Sequence, residues 1–387
     1  MDLTTLAANL RRLRTARKLS QSELAMQAGL SREGYRRMEE GLVEPRVDSL
    51  MRVARVLEVR SDELLVPTRQ LHAVRFRALK RMTTRDDLLA TVARWLDNYV
   101  EIEQLVDDTA PFKFATLAQD LQHASDSPIS PIAVAAEARK AVGIGDEGSI
   151  RDICGLLEDN GVKVFKPLLA SEGFFGLSVG PGDGGPAVIV NCWDRISVER
   201  WIFTAAHELG HLLLHLHAYD ATQDEEDEQQ EAEANLFASH FLMPEQQFEK
   251  EWNEARGMSL VERVLKVKRI FHVSWKTVVY RVAAGSADAS KVWAQFYAAY
   301  KRSTGKPLKA ADEPNALTPD AFSPTAMAVA RAADEPDRLL PSDFAEDRLV
   351  RLVRKGVEGS VISLNRAAEI LDTDLRSMRQ LAAEWTV

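Results

Sequence analysis

Two histidines four residues apart flank a glutamate in Ala205-Ala206-His207-Glu208-Leu209-Gly210-His211-Leu212-Leu213. On a helix this spacing puts both imidazoles on one face, one turn apart and aimed at a common point. Imidazoles so placed are zinc ligands by type, and Glu208 between them can act as general base towards a water. A catalytic zinc site needs a third protein ligand and one open position. The next helical stretch, Glu231-Ala232-Glu233-Ala234-Asn235, offers two carboxylates for it. Glu231 and Glu233 point about 200° apart around a helix, so only one of them can join the histidines. Ile202, Phe203, Leu212 and Leu213 make the histidine-bearing helix apolar enough for burial, where unpartnered imidazoles would be costly.

Two long helices must position these groups, over residues 198–216 and 227–241, and Met243-Pro244 stops the second. Three short strands precede them: Val162-Lys163-Val164-Phe165, then residues 173–179, then Ala187-Val188-Ile189-Val190. The Gly/Pro/Asp cluster at 180–186 turns the chain between the last two. Strand 173–179 or strand 187–190 is expected to offer a free edge along which an extended peptide could lie. His215 continues the histidine face by one turn and reads as a helix-end residue or as support for the site. His217 and His240 read as surface residues. The acidic run Asp224-Glu225-Glu226-Asp227-Glu228 reads as a solvated connector. Further helices are expected at 88–106, 127–145, 246–300 and 346–385, and no internal repeat is visible.

The first 66 residues have a different periodicity. Leu10, Leu13, Leu24, Ala25, Ala28, Leu50, Val53, Ala54 and Leu57 recur at helical spacing, Ser20 and Ser31 are N-cap types, and Gly29 and Gly41 end helices. Leu19-Ser20-Gln21-Ser22-Glu23-Leu24-Ala25, Ala28-Gly29-Leu30-Ser31-Arg32-Glu33 and Glu40-Gly41-Leu42-Val43-Glu44-Pro45 resemble the XRE (phage-repressor-like) helix-turn-helix family over residues 8–58. The resemblance implies a recognition helix over 31–38 that lies in the major groove of double-stranded DNA. Ser31, Arg32, Glu33 and Arg36 are then the candidates for base contact, and Gln21 for a phosphate. Tyr35 reads as half core and Arg37 as solvated.

A second resemblance rests on His207-Glu208-Leu209-Gly210-His211-Leu212-Leu213-Leu214-His215, Glu231-Ala232-Glu233-Ala234-Asn235-Leu236-Phe237-Ala238 and Phe241-Leu242-Met243-Pro244. Together these resemble the ImmA/IrrE metallopeptidases over roughly residues 130–300. The resemblance implies a gluzincin-like Zn2+ site with His207, His211 and Glu231 as ligands and Glu208 as base. It also implies that Asn235 orients a histidine from outside the ligand set, with Glu233 the alternative ligand. Its substrate class is a repressor or antitoxin-like protein.

The whole chain has 387 residues and a formal net charge of −9, which argues against wholesale coating of nucleic acid. Residues 1–66 nevertheless hold a small basic excess, and a basic stretch (Arg69, Arg75, Arg77, Lys80, Arg81) follows. Two cysteines, Cys154 and Cys192, make a disulfide framework or a cysteine zinc site improbable. The N-terminus lacks the pattern of a secretory signal, and the expected location is the cytoplasm, with no membrane partner. The expected fold is mainly α with a small β-sheet (α+β). It comprises an all-α helix-turn-helix domain at 1–67, a helical connector at 68–125, a metallopeptidase domain at 126–300, a loosely ordered connector at 301–345 and a helical module at 346–387. That last module reads as a packing or docking element in preference to a second nucleic-acid reader. The expected function is a homodimeric regulator binding an inverted-repeat operator and cleaving a repressor or antitoxin-like protein. The alternative is a non-proteolytic repressor of a toxin–antitoxin or mobile-element operon whose peptidase-like half senses a ligand or dimerises.

Overall fold

The computed structural model of the chain describes residues 2–17, 19–57, 59–66, 71–78, 85–123, 130–171, 173–219, 227–309, 311–323, 327–328 and 335–385. Pro67, Arg69, Lys80, Arg81 and the acidic residues 224–226 lie outside the described residues, as do the side chains of Arg77 and His217. The chain divides into two compact units, Met1–Leu71 with Lys80–Glu101, and His72–Leu79 with Ile102–Val387. Among the described residues no helix is long and apolar enough to cross a membrane.

The first unit contains α1 (Leu3–Ala16), α2 (Gln21–Gln27), α3 (Arg32–Glu39), α4 (Val47–Val56) and most of α5 (Arg85–Leu105). Leu6, Leu10, Leu24, Tyr35, Val53 and Leu57 form the centre of its core. A capping box starts α2, with the Ser20 hydroxyl accepting from Glu23 N–H while the Glu23 carboxylate accepts from Ser20 N–H. The turn into α3 is a Schellman motif: Gly29 sits at φ +63° and Leu30 N–H donates to Ala25 O at 2.8 Å. Ser31 then caps α3 by accepting from Gly34 N–H at 3.0 Å. Buried Glu39 is clamped by Arg14 through two bonds of 2.8 and 2.6 Å.

The second unit is built on a four-stranded sheet in the order β1-β3-β4-β2. β1 (Val74–Ala78) and β4 (Ala187–Val190) run antiparallel to β3 (Phe174–Val179), and β2 (Lys163–Phe165) runs parallel to β4. β1 adds a strand to the stretch 68–125, expected from the sequence to be a helical connector. Val-Arg-Phe-Arg-Ala alternates as a half-buried strand does, with Val74 in the core, but one short strand in a basic stretch carries too weak a signal to stand out. β3 and β4 are inner strands paired on both sides, so neither offers the free edge expected of one of them. Among the described residues β1 and β2 are the outer strands.

α9 (Val198–Leu214) packs on β3 and β4, and α10 (Glu228–Leu242) packs on α9 and on α7 (Pro131–Ala141). Two glycines allow the close approaches. A Cβ at Gly176 would meet Thr204 Cγ2 at 2.6 Å and Ile189 O at 2.9 Å, and one at Gly210 would meet the Phe237 ring at 2.9 Å. Helices α11 (Glu245–Glu254), α12 (Leu260–Phe271), α13 (Trp275–Ala284) and α14 (Ala289–Thr304) follow. The described parts of 301–345 are not loosely attached. Leu308, Leu339 and Phe344 are buried in the main core, Lys268 pairs with Glu313 at 2.7 Å, and Arg269 donates to Leu317 O at 3.0 Å. Side chains of α12 thus satisfy an irregular backbone that has no periodicity to read. The chain ends with α15 (Arg348–Glu358), α16 (Leu364–Ile370) and α17 (Leu375–Glu384).

Candidate metal centre and nucleic-acid interface

α9 starts at a Ser197 cap and is buried along almost its whole length, including His207, Glu208 and His211, each with no exposed surface. α10 starts where Asp227 caps Gln229 and Gln230, and its first turns bring Glu231 over the histidines. His207 Nε2 lies 3.2 Å from Glu231 Oε2, His211 Nε2 lies 3.0 Å from Glu231 Oε1, and the two Nε2 atoms are 3.0 Å apart. Donors bound tetrahedrally at the usual zinc distances stand roughly 3.3 Å apart, so this donor set fits a small divalent cation. Among the described residues these three form the group able to hold a metal ion, with ligand atoms within 4.8 Å of one another.

The hydrogen bonds behind the histidines settle their tautomers. Asn235 Oδ1 can only accept, so His207 Nδ1 donates to it at 3.1 Å and Nε2 keeps its lone pair. The Glu233 carboxylate accepts from His215 Nε2 at 2.9 Å. With His215 neutral, its Nδ1 accepts from His211 Nδ1, 2.9 Å away, which leaves the lone pair of His211 Nε2 facing the centre. Glu233 therefore faces His215, away from the three-residue cluster. Burial pushes His211 down to about 4 and keeps the ring neutral at ordinary pH.

Glu208 points to the other side of the cluster, towards β3. Ser178 Oγ donates to Glu208 Oε2 at 2.8 Å and accepts from Tyr219 Oη at 2.7 Å. The Tyr219 hydroxyl is itself buried, which pushes its pKa well above the usual value. Arg75, from β1, places its guanidinium 3.6 Å from Glu231 Oε1 and donates to Gln230 Oε1 at 2.5 Å. Sequence reasoning missed Ser178, Tyr219 and Arg75. The one available signal was Ser178, a lone hydroxyl in the apolar run Phe174-Phe175-Gly176-Leu177-Ser178-Val179. His240 is buried, not at the surface, and burial pushes it down to about 3.

In the first unit, α3 presents Arg32, Glu33 and Arg37 to solvent. Ser31 is occupied as the helix cap. Arg36 is held by Glu33 at 2.6 Å and Glu40 at 2.5 Å. Gln21 sits half-buried at the start of α2. Tyr35 has no exposed surface, so it belongs wholly to the core.

The comparisons with known proteins divide along the same line. A helix-turn-helix family model matches residues 10–64, and an IrrE N-terminal-like domain model matches residues 158–283. No individual curated protein matches the chain. β1 and α7, which pack around the histidine cluster, lie outside both matched segments. The chain is thus a fusion of an XRE-type helix-turn-helix DNA-binding domain with an ImmA/IrrE-like, metallopeptidase-type domain.

Proposed function

We propose that the chain is a DNA-binding transcriptional regulator whose second domain is a zinc-dependent endopeptidase acting on a repressor or antitoxin-like protein. The observation that carries this reading is the convergence of His207 Nε2, His211 Nε2 and the Glu231 carboxylate within 4.8 Å, with Glu208 one residue from a ligand on the same helix. His207, His211 and Glu231 would hold the zinc. Zinc in such a site supplies Lewis acidity, which makes water acidic near neutral pH and polarises a carbonyl. Glu208 takes a proton from the attacking water and passes it to the departing amine. Ser178 fixes the plane of the Glu208 carboxylate through Oε2, and Tyr219 fixes Ser178. Asn235 and the Glu233–His215 pair keep both ligand lone pairs aimed inward. An extended substrate segment pairs with β1, the outer strand from which Arg75 reaches Glu231. The helix-turn-helix domain binds its operator as a dimer on an inverted repeat, with Arg32 and Glu33 nearest the base edges and Gln21 on a phosphate.

A second reading is a regulator whose metal domain senses a ligand and does not cut. What favours it is that Glu208 has no exposed surface. The deciding experiment incubates the zinc-loaded full chain, as wild type and as Glu208→Gln, with a regulator encoded beside it. Cleavage by the wild type alone supports the peptidase. Equal repression by both proteins, with no cleavage of any co-encoded protein, supports the sensor.

A further inference from the structure

The backbone from Ser363 to Asp374 repeats that from Ser20 to Ser31 position for position, at an offset of 343 residues, whereas the connection before it differs, with Arg17 at φ −80° and its counterpart Ser360 at φ +55°. α2 spans Gln21–Gln27 behind a Ser20 cap, and α16 spans Leu364–Ile370 behind a Ser363 cap. Gly29, in the left-handed region at φ +63°, corresponds to Asp372 at φ +47°. Leu30 N–H donates to Ala25 O and Gly29 N–H to Met26 O, while Thr373 N–H donates to Ala368 O and Asp372 N–H to Glu369 O. Ser31 caps α3, and Asp374 caps α17 by accepting from Arg376 and Ser377 N–H. Burial follows the same register. Leu24, Ala25 and Tyr35 are core residues, and so are their counterparts Ala367, Ala368 and Met378. α15 precedes the pair as α1 does, with Leu349 and Val353 buried at the places of Leu6 and Leu10, but it packs on α16 where α1 packs on α3. Over the twenty positions from Ser20 to Glu39, identity is confined to Ser20/Ser363, Ala25/Ala368 and Arg36/Arg379, so the sequence hides the repeat.

The same turn, followed directly by a capped helix, also joins α12 to α13. His272 lies at φ +54°, Val273 N–H donates to Lys268 O, and Ser274 caps the second helix. There, however, the positions of Arg32 and Arg36 are held by Trp275 and Val279, both buried in the domain core. That copy is a packing element and separates turn geometry from groove-reading. In α17 the position of Arg32 is held by half-buried Leu375, but the rest of the equivalent surface is open: Arg376, Ser377, Arg379 and Gln380 are all exposed. Its one early acid, Asp374, faces the backbone as a cap. Arg379 stands where Arg36 stands but without carboxylates at the positions of Glu33 and Glu40, which are Arg376 and Ala383.

We propose that residues 348–384 form a second helix-turn-helix that places α17 in the major groove of duplex DNA, with Arg376 and Arg379 on phosphates or guanine edges. The sequence reading preferred a packing or docking element to a second nucleic-acid reader, and the proposal takes the other of the two. One departure from the N-terminal pattern is Leu364 at the place of Gln21, so Asn365 or Arg366 supplies the polar contact at the start of the first helix. The proposal rests on the DNA-binding reading of α2–α3 and not on the peptidase.

The test uses the full chain and a mixed-sequence duplex, with single-stranded RNA of the same sequence as the other arm. Arg376→Ala/Arg379→Ala weakens duplex binding roughly tenfold and lowers the salt slope of log Kobs by about 1 per arginine. Arg376→Lys/Arg379→Lys restores the slope but not the sequence enriched from a random duplex library. Unchanged affinity, slope and enriched sequence in the alanine variant, while Arg32→Ala alters them, overturns this proposal alone. A wild-type chain that binds no duplex overturns the N-terminal reading as well. Loss of RNA binding with duplex binding intact makes the module an RNA reader and overturns the proposal.

Discussion

The histidine helix α9 and the recognition helix α3 hold their polar side chains under opposite constraints. His207, Glu208 and His211 have no exposed surface, and each is met by a group from elsewhere: Asn235 on α10, Ser178 on β3, His215 beyond the helix end. On α3, Arg32 and Glu33 are exposed, and Arg36 makes its ion pairs within the helix and its C-cap, to Glu33 and Glu40. A buried polar group without a partner costs several kcal/mol, whereas an exposed one is solvated in any rotamer. Burial therefore couples α9 to residues far along the chain. Exposure leaves α3 determined by its own few neighbours. Substitutions at α9 are expected to spread to distant partners, and those at α3 to stay local.

The largest expected effect is at the cluster itself. His207→Ala and Glu231→Ala are predicted to lose the metal, since two donors remain where three converge. Glu208→Gln is predicted to keep about one zinc per chain and to lose cleavage by a factor of roughly 10²–10⁴. Metal analysis after gel filtration checks the first pair. A Glu208→Gln protein purified empty, beside a loaded Glu231→Ala protein, would reverse the two roles.

Acid should expose the cost of burial next. His240 has its pKa lowered, by burial and then by Arg281, from 6.5 to about 3. A depressed folded pKa means that the neutral ring contributes stability above pH 6.5. That contribution is lost as the pH falls from there towards 3, by an amount on the order of a few kcal/mol. His240→Phe keeps an aromatic ring and removes the titration, so its urea midpoint should fall less steeply with acid than that of the wild type. Parallel curves would show that His240 is not among the groups that make the fold acid-labile.

A smaller effect tests how far the coupling reaches. Glu233 touches neither His207 nor His211, yet through a neutral His215 it sets which nitrogen of His211 carries the proton. Glu233→Ala and Asn235→Ala are each predicted to weaken zinc binding by about 10–100-fold, the range for groups that orient a ligand histidine. Chelator competition measures this without reference to activity. Zinc affinity equal to wild type in Glu233→Ala would confine the site to its three donors.

What could be read in advance follows from the same physics. The pairing of His207 with His211 and the nearness of Glu231 and Asn235 are matters of helical period, and local spacing displays them. Ser178 and Tyr219 meet Glu208 through the sheet and the end of a helix, and no periodicity links residue 178 to 208. β1 was missed because its five residues alternate only once or twice and pair with a strand about a hundred residues away. The C-terminal helix-turn-helix was hidden for another reason. Its turn needs a left-handed residue, a small residue and a cap; Ala368 repeats Ala25, but Asp372 and Asp374 meet the other two needs without resembling Gly29 and Ser31.

The smallest effect probes α3 itself, where local neighbours are expected to decide everything. Arg32 and Arg36 look equivalent in sequence as groove-facing cations, but their surroundings differ. Arg32 is exposed at the helix start, whereas Arg36 is bracketed by two carboxylates, and these raise its pKa above even the usual arginine value. To reach a base or phosphate, Arg36 must first leave Glu33 and Glu40, and those carboxylates then face the DNA backbone unneutralised. Arg32→Ala should therefore cost about 1–3 kcal/mol in operator binding and relax specificity at one base pair. Arg36→Ala should cost less than Arg32→Ala. Glu40→Gln should tighten binding and steepen its salt dependence, because it releases Arg36 and removes a like charge from the interface. Titration of the enriched duplex at two salt concentrations separates these outcomes. If Arg36→Ala proves the more damaging of the two, or Glu40→Gln weakens binding, then the ion pairs seen in the free chain belong to the DNA-bound arrangement, and α3 is as tightly determined as α9.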